Sequence, residues 1–100
     1  MAGDLKHIHD AAKAEEFARA LGLQIGGGGH PFVGPWGTKG LYAYKSGKYS
    51  GMAFFGTGGI EIQRLSIPHE SDKYRPWNRY DPGIPDHIRK KLIDLEDDDS

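Results

Sequence analysis

The chain has 100 residues, a formal net charge of −1 and no cysteine. That length allows one small domain with a modest core, and the lack of cysteine excludes disulfide staples and thiolate metal sites. Neither a signal-peptide core nor a membrane-spanning run is visible, so a cysteine-free protein of a reducing, intracellular compartment with no membrane partner is expected.

The balance of charge is uneven. Asp94, Glu96, Asp97, Asp98 and Asp99 close the chain without a base among them, and the rest carries thirteen bases against nine acids. Residues 1–95 therefore read as one mildly basic domain and residues 96–100 as an acidic tail.

Residues 1–9 read as extended. Asp10 is a good N-cap for a helix over 11–21, in which Ala14, Phe17, Ala18 and Leu21 fall on one face. Gly22 supplies its left-handed C-terminal cap, and Leu23 folds back onto the last turn. Leu23-Gln24-Ile25 has the composition of a short strand. Residues 26–29 are four glycines, and residues 30–38 hold too much Pro and Gly for a central strand. An ordered loop is expected there, with Phe32, Val33 and Trp36 plugging the side of the core.

Residues 39–59 read as a hairpin closed by a glycine run, and they hold three of the five tyrosines. With Ser46 and Gly47 as a two-residue loop, Tyr44 would face Tyr49 and Leu41 would face Met52. That register also sets Lys45 against Lys48, and a longer loop would relieve the like charges. Ile60-Glu61-Ile62-Gln63-Arg64 alternates apolar and polar residues, as a third, half-exposed strand does. Residues 66–83 read as a long loop packed by Tyr74, Trp77 and Tyr80. Pro85 suits the first turn of a helix over 85–95, with Ile84, Ile88, Leu92 and Leu95 as its apolar stripe. Acids at the negative end of the helix dipole predict fraying over 96–99. The expected fold is α+β: a three-stranded antiparallel sheet at about 40–65, an N-terminal helix at 11–21 and a C-terminal helix at 85–95.

The stretch from Ala20-Leu21-Gly22-Leu23 through Lys39-Gly40-Leu41-Tyr42-Ala43-Tyr44 to Gly51-Met52-Ala53-Phe54-Phe55-Gly56-Thr57-Gly58-Gly59 resembles a small domain of algal and other marine microbial proteins. Those domains carry a Lys-Gly-Cys-Tyr-x-Tyr core and are distantly similar to apple and WSC-type modules. The resemblance covers about residues 10–60. The family pattern has one cysteine in the helix and one in the strand; here Phe17 or a neighbour and Leu41 stand in those places. If the family's cysteines bridge helix to sheet, the resemblance implies that an apolar contact of Phe17 with Leu41 replaces the bridge. It implies a shape and no established chemistry. The hairpin also looks like a single MORN-type unit, which is the common grammar of aromatic hairpins.

Several residue groups carry candidate chemistry. Gly27, Gly28, Gly29 and His30 would form an anion nest from their backbone amides, although no Walker lysine follows and Pro31 and Pro35 forbid the helix of a dinucleotide fingerprint. His7 and His9 alternate beside Asp10, a spacing open to a divalent metal. A histidine-based or metal-dependent enzyme would need His30, His69 or His87 to meet Glu61, Glu70 or Asp72. Lys73-Tyr74-Arg75-Pro76-Trp77-Asn78-Arg79-Tyr80 interleaves bases with rings, as protein anchors and single-strand nucleic-acid platforms do, but the overall charge is too balanced for a dedicated nucleic-acid binder.

The expected function is a non-catalytic interaction module, an accessory protein or subunit of a larger assembly, without a cofactor. Its binding surface is expected to use Tyr42, Tyr44, Tyr49, Tyr74, Arg75 and Trp77. The partner is expected to be another protein, with a small anionic ligand at the glycine loop and the 73–80 segment as the other option.

Overall fold

The computed structural model describes residues 10–68 and 72–97. The N-terminal histidines His7 and His9, with His69 and Glu70, lie outside the described residues.

Helix α1 spans Ala11–Ala20, where the sequence places it. Asp10 Oδ1 accepts the Ala12 amide at 2.9 Å. At the other end Gly22 turns left-handed, with φ +82°. The amides of Gly22 and Leu23 then return to the carbonyls of Arg19 and Ala18. These two bonds are a Schellman closure, and they satisfy carbonyls that the helix itself leaves open. Replacing the cap, Asp10→Ala, is expected to lower stability by about 1 kcal/mol. Urea unfolding would check this, and a midpoint unchanged from wild type would refute it.

The sheet is mixed and larger than a three-stranded meander. Its strands are β1 (Gln24–Ile25), β2 (Val33–Gly34), β3 (Gly40–Tyr44), β4 (Met52–Gly56) and β5 (Lys73–Tyr74). Strand β4 is central. It pairs antiparallel with β3 on one edge and parallel with both β1 and β2 on the other. The short strands β1 and β2 thus follow one another along a single edge, and the glycine loop is an excursion between them. Strand β5 pairs antiparallel with the free edge of β3.

The hairpin register differs from the two-residue-loop expectation. Leu41 faces Phe55, Tyr42 faces Phe54 and Ala43 faces Ala53. The connection is therefore long, and Gly47 and Gly51 both take positive φ within it. Lys45 and Lys48 both fall in that loop, so the unfavourable cross-strand lysine pair never forms.

The expected third strand at 60–64 is also corrected: Glu61–Leu65 is a 3₁₀ helix. Ile62 is 68 % exposed, so its alternation serves no sheet face. The edge of β3 that this segment would have used is taken by β5.

Helix α2 spans Asp86–Asp97. Its first turn closes on Pro85, whose carbonyl accepts the amides of Ile88 and Arg89. Of the residues expected to fray, Glu96 and Asp97 are still helical, and Arg79 Nε donates to Glu96 Oε1 at 2.8 Å; residues 98 and 99 lie outside the described residues. Among the described residues no helix is long and apolar enough to cross a membrane.

One face of the sheet carries the core. Leu41, Ala43, Ala53 and Phe55 pack with Phe17 and Ala18 of α1, with Leu21 at its C-terminal cap, and with Ile88 and Leu92 of α2. Phe32 joins this core, whereas Val33 stays on the surface. Strand alternation sends Tyr42, Tyr44 and Phe54 to the opposite face. Among the described residues no helix covers them. Trp36 and Tyr49 reach over that face instead, each within about 6 Å of the Phe54 ring centre.

Candidate functional site

The second face is an aromatic bowl. His30, Trp36, Tyr42, Tyr44, Tyr49 and Phe54 line a hollow of about 140 Å³. Phe54 is the floor, touched by Trp36, Tyr42, Tyr44 and Tyr49 at centroid distances of 5.9 to 6.2 Å. The wall runs from Trp36 to His30 (5.5 Å), Tyr49 (5.7 Å), Tyr44 (5.3 Å) and Tyr42 (5.8 Å). Most of these contacts are edge-on or tilted, the favourable arrangement for ring quadrupoles.

The wall comes from separate parts of the chain, and two glycines let it close. A Cβ on Gly28 would stand 2.5 Å from Tyr49 Cε1. A Cβ on Gly34 would fall inside the contact radius of the Trp36 ring. Trp36 Nε1 donates to the Phe32 carbonyl at 3.3 Å, which fixes the indole plane over the sheet.

Two ammonium groups sit at the rim. Lys48 Nζ lies 5.6 Å from the centre of the Tyr49 ring. Lys73 Nζ lies 5.2 Å from the centre of Tyr42 and 5.6 Å from that of Tyr44. Its place follows from register: Lys73 pairs with Tyr44 across β3 and β5, so both side chains rise from one face. Lys73 Nζ also donates to Thr38 Oγ1 at 3.1 Å. That bond faces a second, polar cleft of about 410 Å³, lined by Thr38, Gln63, Ser66, Lys73 and Arg75 among others. Among the described residues, no carboxylate lines either space.

The bowl brings together Tyr42, Tyr44 and Tyr49, three of the residues singled out from the sequence. Tyr74, Arg75 and Trp77 are not with them. All three are buried, and Tyr74 and Trp77 belong to the helix-side core. Of the rings expected to pack the 66–83 loop, Tyr80 does not: it is 83 % exposed.

Arg75 is buried because it completes the backbone. Its Nη1 donates to the Leu41 carbonyl at 2.8 Å and its Nε to that of Ser66 at 2.7 Å, while Nη2 reaches the Gln63 carbonyl. Its own amide donates to Asp81 Oδ2 at 2.7 Å, and the Gly83 amide donates to Asp81 Oδ1 at 2.8 Å. Burial pulls the Arg75 guanidinium down to about 10, against the opposing effect of Asp81 and Tyr42, which leaves it charged at neutral pH.

Burial, and then the negative charge of Asp81, push the Tyr74 phenol well above its usual value of 10. The unfolded chain releases that proton near pH 10 and the folded chain does not. Tyr74 thus contributes stability that is full below pH 10 and is lost as pH rises above it. The lowered Arg75 value acts in the opposite sense over the same alkaline range, so phenolate absorbance is the cleaner readout. A tyrosine ionisation step coincident with alkaline unfolding is expected, and it should vanish in Tyr74→Phe. An identical titration curve in that variant would refute the assignment.

The glycine loop does not offer four free donors. Gly27 and His30 exchange backbone bonds at 3.0 Å in both directions, and the Gly26 amide donates to Ala53 at 2.9 Å. Two of the four amides proposed for an anion nest, those of Gly27 and His30, are thus engaged within the loop. The loop presents the His30 ring to Trp36 and Tyr49 instead. His87 lies exposed on α2, apart from the bowl. Among the described residues, no group of three or more His, Asp or Glu is placed to hold a metal ion.

Sequence reasoning missed Trp36 and Phe54 as parts of the site. Phe54 was accessible in principle, since it shares the alternation of Tyr42 and Tyr44. Trp36 carries no such signal, because the path of the chain after β2 brings it over the sheet.

Comparison with protein-family models, curated proteins and solved structures finds no match to this chain.

Proposed function

We propose that this protein is a non-catalytic interaction module, an accessory protein or subunit of a larger assembly, and that the aromatic bowl is its binding site. The observation that carries this reading is the convergence of six rings on one open hollow of about 140 Å³. A cavity of about 150 Å³ holds a benzene-sized group. The bowl therefore suits one ring or one branched aliphatic side chain of a protein partner. Rigid aromatic walls add large contact area at small entropic cost, which is why such residues dominate binding hot spots. The mostly aromatic lining offers no nucleophile paired with an oriented base, so a binding role accounts for it better than catalysis.

The resemblance to the Lys-Gly-Cys-Tyr-x-Tyr domains belongs to the same proposal. Its support is that Phe17 and Leu41 lie in one apolar core, as replacement of a helix-to-sheet bridge requires.

The test is a pull-down from lysate of the source cell with wild type and Tyr49→Ala, after both are shown to be folded. One specific protein retained by wild type and lost by the variant is expected. A partner held equally by both would move the site away from the bowl.

A further inference from the structure

The bowl lies on a face of the sheet, and that placement limits how a partner chain can meet it. The outermost strands, β1, β2 and β5, have two residues each. They are too short to template an added strand, and a segment laid across the bowl finds no backbone ladder beneath it. Its peptide groups must therefore stay hydrated. Polyproline II backbone meets this condition, because it makes no internal hydrogen bonds and keeps its peptide groups in water. Proline meets it further, since its nitrogen carries no hydrogen to strand against an aromatic wall.

The lining selects the same chemistry. The pyrrolidine ring is smaller than the benzene-sized group that suits a hollow of about 140 Å³. Being cyclic, it brings no side-chain rotamers to freeze. Tyr44 and Tyr49 stand half-buried in the wall, and among the described residues neither hydroxyl has a hydrogen-bond partner. Each can donate to a carbonyl beside the seated proline. Trp36 contributes a ring only, because its Nε1 donates to the Phe32 carbonyl. A cationic group is disfavoured, since the ammonium groups of Lys48 and Lys73 already stand over the Tyr49, Tyr42 and Tyr44 rings.

Charge sets the flank. Lys45 and Lys48 are exposed in the connection between β3 and β4, and among the described residues neither is in an ion pair. Asp72 approaches that connection at Gly47, where a Cβ would stand 3.8 Å from its Oδ2. Two bases against one acid leave the Tyr49 side of the bowl net positive.

We propose that the bowl takes a proline ring from a polyproline II segment of the partner, with an acidic residue of that segment beside Lys48. This rests on the interaction-module reading and names the chemistry of the partner. The aromatic wall supplies the contact, the Tyr44 and Tyr49 hydroxyls orient the chain, and Lys48 favours the acidic flank. With three residues per turn, an acid three positions from the seated proline lies on the same side of the segment and roughly 9 Å along it. Lys48 stands beyond the Tyr49 ring, on the side such an acid would reach.

The experiment titrates the isotope-labelled full chain with Gly-Ser peptides carrying four prolines, four alanines, one Leu or one Trp, each flanked by Asp or by Lys. The Trp36 indole N–H and Tyr49 ring resonances report occupancy of the bowl. The proline peptides are expected to bind roughly tenfold more tightly than the Ala, Leu and Trp peptides. Tyr49→Phe keeps the ring without its hydroxyl and should weaken proline binding roughly three- to tenfold. Asp-flanked proline peptides should bind about two- to fivefold more tightly than Lys-flanked ones. That difference should shrink with added salt and in Lys48→Gln. Leu or Trp peptides that bind as tightly as the proline peptides would overturn the proposal and leave the interaction module standing. Proline binding that ignores both Tyr49→Phe and the flanking charge would overturn it as well. No response to any peptide, in protein whose spectrum shows it folded, would overturn both the proposal and the choice of the bowl.

Discussion

Arg75→Ala should destabilise the fold by about 3–5 kcal/mol, as removal of a buried, multiply bonded charge does. A domain of this size has about 5–15 kcal/mol in all, so the variant should be barely folded at physiological temperature. The cost comes from what the guanidinium leaves behind. The Leu41 carbonyl lies on the edge of β3, beyond the two residues that β5 pairs with. The Gln63 and Ser66 carbonyls belong to the 3₁₀ segment and its end. One planar fork satisfies all three and ties that segment to the sheet. Arg75→Lys should recover little of the loss, because a single ammonium on a flexible stem does not reproduce the fork. Urea unfolding of the three proteins measures this. Near-wild-type stability in Arg75→Ala would mean that water replaces the guanidinium at those carbonyls, and that the 3₁₀ segment is held some other way.

Arg75 also shows what was hidden in the sequence. Interleaved bases and aromatics over 73–80 look like a solvated recognition strip. Along a two-residue strand, however, alternate side chains go to opposite faces: Lys73 rises to the bowl while Tyr74 enters the core. Arg75 follows where the strand ends and turns its fork to carbonyls contributed by other elements. No local pattern marks an arginine as a backbone partner, since those carbonyls are set by tertiary structure. The 60–64 segment fails for the same reason. Its apolar–polar alternation is real, but the β3 edge beside it is already filled by β5 and by Arg75. A two-fold period without an edge to pair with does not make a strand.

The helices were legible because their signals are local. Asp10 and Gly22 bracket α1, and Pro85 opens α2. The Tyr42, Tyr44 and Tyr49 cluster was legible in composition, and the opposed faces of β3 and β4 follow from alternation once the pairing is known. The register was not legible, because the hairpin connection is longer than its Ser-Gly pair suggests. The bowl as a whole was hidden for a related reason: His30 and Trp36 arrive on glycine loops whose paths depend on β1 and β2 lying along one edge of β4. Short parallel pairings of two residues leave almost no trace in sequence.

Trp36→Ala is expected to weaken partner binding by about 30- to 1000-fold, the 2–4 kcal/mol of a central aromatic hot spot. Its effect on stability should be smaller than the about 3–5 kcal/mol of a core aromatic truncation, because Trp36 is only half-buried. A simple loss of binding in Trp36→Ala would still leave open whether the ring contacts the partner or merely props up the loop. Gly34→Ala separates these. Gly34 has no positive φ, so its backbone accepts alanine without conformational strain. The added methyl instead collides with the Trp36 ring and must turn it away from the bowl. If the seated ring makes the site, Gly34→Ala should lose affinity almost as strongly as Trp36→Ala, with Trp36 fluorescence shifted toward that of an exposed indole. A Gly34→Ala protein that binds as wild type, despite a displaced indole, would show that the partner does not enter the bowl. It would direct attention to the exposed apolar residues Ile60, Ile62, Leu65 and Ile67, the other concentration of large hydrophobic side chains on the described surface.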